Sequence, residues 1–424
     1  MANRVTVSAL RGRFAAFPWW LQTILVWAGT RLVSTLGFLW AGAVQGPSYW
    51  YPWAKPTYFD FLNIWDVEWY HRIFDFGLGQ APGYQIPLPL NDAGGVTQNA
   101  WAFMPGFPML VRALTWVTGG VIPWKILAPT TSLILSFALA LAMFKVFSLK
   151  FETATSLWGV AIFGLWCASP ILQTGYAETL GFLFLAGGLY FLMQHRYLAS
   201  VPFLIGLSLT RPGMVSFALC LAGMWVVRAV KAHRAKTHRA KTTGELGQEF
   251  PTAERWKLAA LTVTSGFLGL LWPIIAWLAT GRIDAYTATE LAWRSSNPHA
   301  QLQLMDRWLG LFTAMYGPVF GIIALAVIIA GVVWLMFTPT VKHLGNELRL
   351  WVGSYFLYLL LVFNPQSSTF RILMPAFPLA AALAHKSKDW PKWLKASMVG
   401  VLILTQFAWL AVCWVYVEPD FTPP

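Results

Sequence analysis

The chain is expected to fold as an all-α polytopic membrane protein with about eleven transmembrane segments and a large first extracytoplasmic loop. Three observations predict this. Hydrophobic residues make up 57% of the sequence and charged residues 11%, far from the balance of a soluble globular domain. Apolar runs of membrane-spanning length recur from residue 19 to residue 416. Lys and Arg fall in short clusters between those runs. The net charge of +13 therefore reads as a topology signal and not as a nucleic-acid-binding face. A single membrane domain over 1–424 follows.

In chain order, Arg4, Arg11 and Arg13 precede the first run without the short apolar stretch and small-residue cleavage site of a signal peptide. The first span, near 19–44, is expected to be kept and to leave the N-terminus inside. A polar, aromatic, proline-rich loop over 45–122 follows outside. Span 124–147 returns to Lys145 and Lys150, and the pair 156–169 and 178–193 ends at His195 and Arg196. The pair 198–209 and 213–230 ends at the strongest basic cluster, Arg228 through Lys241, in a cytoplasmic loop over 228–257. Span 257–280 runs out, a second outside loop extends to Trp308, and 309–337 returns as one span to Lys342, His343 and Arg349. Segment 349–363 exits to a turn at 364–370, and the next re-enters to Lys386, Lys388, Lys392 and Lys395. The last span ends at Glu418 and Asp420, outside. The segments before Thr210 and after Arg371 are shorter than a bilayer, as tilted or re-entrant helices are. Cys167, Cys220 and Cys413 sit in apolar runs with no metal or disulfide spacing and read as packing residues. The repeat HRAKT, at 233–237 and again at 238–242, fits either contact with anionic lipid or a solvated positive-inside loop.

Ionisable residues near lipid are costly and call for a reason. Residues 65–72 read WDVEWYHR, with Asp66 and Glu68 enclosed by aromatic rings. Such an acid is either partly desolvated, and so a better proton acceptor, or an ordinary carboxylate in an interfacial aromatic belt. Residues 99–108, NAWAFMPGFP, join rings to helix-hindering prolines, and such backbone persists at membrane depth only when buried or lining a cavity. Three outside turns then carry Tyr176 and Glu178, Arg211, and Arg371. Converging arginines suit a phosphate, whose geometry the guanidinium matches; alternatively each snorkels or pairs with a carboxylate for assembly. Asp284, Glu290, Arg294, His299, Asp306 and Arg307 of the second outside loop belong either to an acceptor site or to a solvated loop.

Taken in order, these stretches resemble a known family. WDVEWYHRIFDFG followed by AFMPGFPMLVR is similar to the first external loop of the PIG-V-like mannosyltransferases, related to GPI mannosyltransferase 2, where an aromatic–Asp motif precedes AFFPGFP. SPILQTGYAETLGFLF, LTRPGM and QSSTFRILMPAFP are similar to later segments of that family, so the likeness spans residues 65–378. Met104 replaces a Phe and Ala177 a Ser of the family pattern. The resemblance implies a GT-C-type fold and a mannose donor carried on polyprenyl phosphate. The sugar would pass with inversion to a hydroxyl of a lipid-linked or cell-surface glycan. It also implies roles: Asp66 as catalytic base, Arg371 with Arg211 on the donor phosphate, and Glu68, His71, Tyr176 and Glu178 around the sugar and acceptor.

No cofactor is expected. Asp66 and Glu68 alone do not specify a coordination shell, and a divalent metal is left open. The expected location is a bacterial cell membrane, or the endoplasmic reticulum membrane in a eukaryote, with an extracytoplasmic site among membrane lipids. Two other classes compete: a lipid or sugar transporter or flippase, whose mark would be mid-membrane charges on symmetric broken helices, and a non-catalytic scaffold that binds polyprenyl lipid.

Overall fold

Lipid offers no partner to a backbone N–H or C=O, so apolar runs close their hydrogen bonds within helices. The structure, a computed structural model, describes residues 12, 14–239, 250–294, 301–415 and 422–424, and among these it is helical with no β-strand beyond two isolated bridges. Arg4, Arg11, Arg13, Lys241, His299, Glu418 and Asp420 lie outside the described residues.

The first long helix, α1 (Trp19–Val44), leads into the large loop, which carries α2 (Tyr58–Phe61), α3 (Asp66–Phe76) and α4 (Gly106–Val117). Next come α5 (Trp124–Ser148), α6 (Thr153–Gly164), α7 (Glu178–Met193), α8 (Tyr197–Ser208) and α9 (Met214–Arg239). After the undescribed 240–249 follow α10 (Thr252–Thr280), α11 (Ala285–Ala292), α12 (Asp306–Tyr316), α13 (Pro318–Phe337) and α14 (Pro339–Lys342). The chain ends with α15 (Gly345–Val362), α16 (Thr369–Ile372), α17 (Pro378–Ser387) and α18 (Lys392–Cys413).

Six helices, α1, α5, α9, α10, α13 and α18, are long and apolar enough to cross a membrane. The molecule is thus a polytopic, membrane-embedded helical protein. The other expected crossings are shorter: α15 has 18 residues, α7 has 16, α6 and α8 have 12 each and α17 has 10. A 12-residue helix rises about 18 Å, against roughly 30 Å of hydrocarbon. Protein takes the place of lipid around them, with α7 packed between α5 and α8, and α6 between α1 and α17.

The expected single span 309–337 is two helices. Gly317, with φ 78°, and Pro318 separate α12 from α13, because Pro removes a backbone donor and disfavours helix in the residue before it. The two halves fold together so closely that a Cβ on Gly321 would lie 2.5 Å from the carbonyl oxygen of Phe312.

Loop 45–122 is tied down by its own amphipathic helices. Val67, Tyr70 and Ile73, three residues apart, bury one face of α3, and Phe107, Pro108 and Val111 bury one face of α4. Trp101 is fully buried against Tyr84 and Trp272, with ring centroids 4.8 and 5.4 Å away, and Trp272 Nε1 donates to the Trp101 carbonyl at 2.9 Å. Each such ring pair contributes about 0.5–1.5 kcal/mol beyond its area burial. The loop is thereby fastened to α10, which brings α3 over the ends of the short helices.

Candidate active site

Two helices start at one place. Asp66 is the first residue of α3 and Glu178 the first of α7, and a carboxylate in the first turn complements the positive end of a helix. Trp65, just before α3, has φ 64° and ψ −129°, a conformation that costs a non-glycine residue on the order of 1–3 kcal/mol. Tertiary contacts hold it there: Trp65 is buried, and its Nε1 donates to the Cys413 carbonyl at 2.9 Å. The Asp66 N–H then donates to Tyr176 Oη at 3.2 Å.

The turn that delivers Tyr176 is set from α1. Buried Arg31 donates to the carbonyls of Ser169 and Gly164, both at 2.8 Å, and Gln406 Nε2 donates to Ser169 Oγ at 2.9 Å. Arg371 arrives on an irregular segment whose carbonyls accept from side chains. Tyr355 Oη donates to Ile372, Trp166 Nε1 to Phe370 and Trp351 Nε1 to Pro375, at 2.6, 3.0 and 2.8 Å. Arg211 follows Thr210, where Gly106 of the AFMPGFP element donates its N–H to the Leu209 carbonyl at 2.7 Å. Only glycine fits, since a Cβ would lie 2.6 Å from that oxygen.

These segments close one ion cluster. Arg371 Nη1 donates to Asp66 Oδ2 at 2.7 Å and to Glu178 Oε1 at 2.9 Å, and Arg211 Nη1 donates to the same Glu178 oxygen at 2.5 Å. The side chain of Glu178 is 0% exposed and that of Asp66 24%. Glu178 is therefore the fulcrum that neutralises two guanidinium groups, and Asp66 is the carboxylate a ligand can reach. Burial would lower both arginine pKa values, but Asp66 and Glu178 on Arg371, and Glu178 on Arg211, outweigh it and hold both above the ordinary value. Among the described residues each arginine commits only Nη1 to a carboxylate, and buried Glu178 Oε2 and Arg371 Nε have no hydrogen-bond partner.

Asp66, Arg211 and Arg371 border a cavity of about 220 Å³. Its other wall is α11 and the residues after it. Arg294 donates to Glu290 at 2.9 Å and to the Val362 carbonyl at 2.8 Å, and the Trp293 ring stands edge-on to Trp69 and Phe103 at 5.2 and 5.7 Å. Of the residues expected in an acceptor site or a solvated loop, Glu290 and Arg294 line the cavity, whereas Asp284 and Asp306 are 47% and 51% exposed. The four-residue spacing of Glu290 and Arg294 signals a helical ion pair, but not which cavity it borders. Tyr70, Tyr355 and Tyr358 also line it and carry no sequence signal beyond aromaticity.

None of the four expected pocket residues lines this cavity, and Glu178 is fully buried within the ion cluster. Tyr176 is fully buried beneath Asp66, with Arg371 over its ring at 5.2 Å. Glu68 and His71 line a different cavity, of about 290 Å³, with Trp124. There Glu68 pairs with Arg72, while His71 Nε2 sits 3.3 Å from Asp75 and its ring stacks on Trp124 at 5.2 Å. Burial pushes the His71 pKa down against the pull of Asp75 and Glu68. The cause of the separation is helical: residues two apart point about 200° from each other around the axis. Asp66 and Glu68 consequently do not form one chelate, and among the described residues no three His, Cys, Asp or Glu side chains gather as metal ligands. No family model matches the chain, and no curated protein does either.

Proposed function

We propose that the protein is a GT-C-type glycosyltransferase that moves mannose from polyprenyl-phosphate-mannose to a hydroxyl of a lipid-linked or cell-surface glycan. The reaction takes place on the extracytoplasmic side and inverts the anomeric centre. The carrying observation is Asp66: a reachable carboxylate at a cavity edge, aimed by Arg371 at 2.7 Å, beside a second arginine with uncommitted donors. Mannose, polyprenyl and the GT-C architecture rest on the resemblance of the four ordered motifs.

Asp66 takes the proton of the acceptor hydroxyl as its oxygen attacks C1. The C1–O bond to phosphate breaks, and polyprenyl phosphate leaves with the electron pair. Inversion puts base and leaving group on opposite faces of the sugar. Arg371, in contact with Asp66, therefore positions the base, while Arg211, one carboxylate removed, meets the phosphate.

Asp66→Asn, which keeps the side chain's size and an acceptor oxygen for Arg371, should lower transfer from radiolabelled donor in membrane vesicles by about 10²–10⁴-fold in protein that still folds. Full transfer by that variant sinks the assignment. Arg211→Ala should raise the KM for donor more than it lowers kcat. Movement of the lipid across vesicles without sugar transfer would identify a transporter, and donor binding without turnover a scaffold.

A further inference from the structure

Residues from several basic clusters that the sequence offers as topology signals meet in one cavity. Lys150 follows α5, His195 follows α7, Arg228 and Lys231 lie in the second half of α9, and Glu347 is in the first turn of α15. Together they line a space of about 540 Å³. Because α7 and α15 have their other ends at Glu178 and Val362, this cavity stands at the opposite end of the bundle from Asp66.

Among the described residues its charges do not cancel. Glu254 accepts from Arg228 at 2.5 and 3.2 Å and lies 3.4 Å from His195, and Glu347 lies 3.7 Å from Lys150. Among the described residues Lys231 makes no ion pair. Among the described residues three permanent cations, Lys150, Arg228 and Lys231, thus face two carboxylates, with His195 beside them. Gly345, at φ 80°, leaves room for Lys150, whose Nζ would lie 2.9 Å from a Cβ at that position, and His195 is held at φ 57°. Met224, Val227 and Phe250 supply an apolar flank. Surplus cations gathered from separate helices call for a counter-ion with several acceptor oxygens, and ammonium and guanidinium groups recognise phosphate in this way.

We propose that this cavity binds a phosphate group, on a lipid headgroup or free in solution, between Lys150, Arg228 and Lys231. The site is independent of the sugar-transfer reading. The test uses the purified full chain and native mass spectrometry with phosphatidylglycerol, phosphatidylcholine of the same chains, and inorganic phosphate. Phosphatidylglycerol should be retained over phosphatidylcholine, and Lys150→Gln/Lys231→Gln should weaken it by about tenfold or more. Displacement by inorganic phosphate shows that the phosphate itself is read, retention of the lipid alone assigns a headgroup, and binding of inorganic phosphate alone assigns a soluble source. Equal retention of the two lipids without phosphate binding overturns the proposal, as does a folded double variant indistinguishable from the parent. Should the double variant not fold, Lys231→Gln, at an exposed position, carries the same comparison.

Discussion

The two faces of α3 carry similar groups in different surroundings. On one, Asp66 belongs to a four-residue ion cluster with Arg371, Arg211 and a fully buried Glu178. On the other, Glu68 pairs with Arg72 alone, with side chains 39% and 32% exposed. Water replaces a lost partner on the second face. On the first it cannot, so removing one member strands another charge where hydration is poor. An ion pair is thus worth what its desolvation makes it worth, and two carboxylates two residues apart are not two copies of one function.

The largest effect should come from Glu178→Ala, which removes the carboxylate that Arg211 and Arg371 share and leaves Arg371 with Asp66 alone. A loss of about 3–5 kcal/mol is expected, read as a fall in the unfolding midpoint in detergent. Gly106→Ala pushes a Cβ into the Leu209 carbonyl and should cost about 1–3 kcal/mol while loosening the loop from the Arg211 turn. Across α3, Glu68→Gln should change stability by about 0.5 kcal/mol or less. If it costs as much as Glu178→Ala, the contrast between the faces is wrong.

The smallest effect concerns pH. Burial tends to raise the Asp60 pKa, but Lys125 and Thr57 outweigh it and hold the carboxyl below its ordinary value of 3.8. That contribution is fully present above 3.8 and is lost as pH falls through the lower folded value. Lys125→Met should flatten this acid limb of a plot of unfolding midpoint against pH.

Much of the architecture was readable from residue order. Apolar runs locate all six long helices, and Pro212–Gly213 and Pro170 mark the turns near which charged residues appear. Asp66, Glu178, Arg211 and Arg371 stood out because charge near lipid is costly. The break at Gly317 was missed because hydropathy runs on through the Gly–Pro step. The role of Glu178 as fulcrum was hidden because burial is a property of neighbours and not of residue type.

The composition by itself determined a helical membrane protein, since lipid admits no other use of so many apolar residues in long runs. Which charges meet was decided only in three dimensions. Asp66 and Arg371 lie 305 positions apart in the chain, and their contact depends on the strained Trp65, the Arg31-bound turn and three ring donors acting together. Helical rotation separates Asp66 from Glu68 in two residues, and packing joins Asp66 to Arg371 across most of the chain. The first is a local rule visible once the helix start is known; the second is a sum of distant contacts that no local pattern encodes.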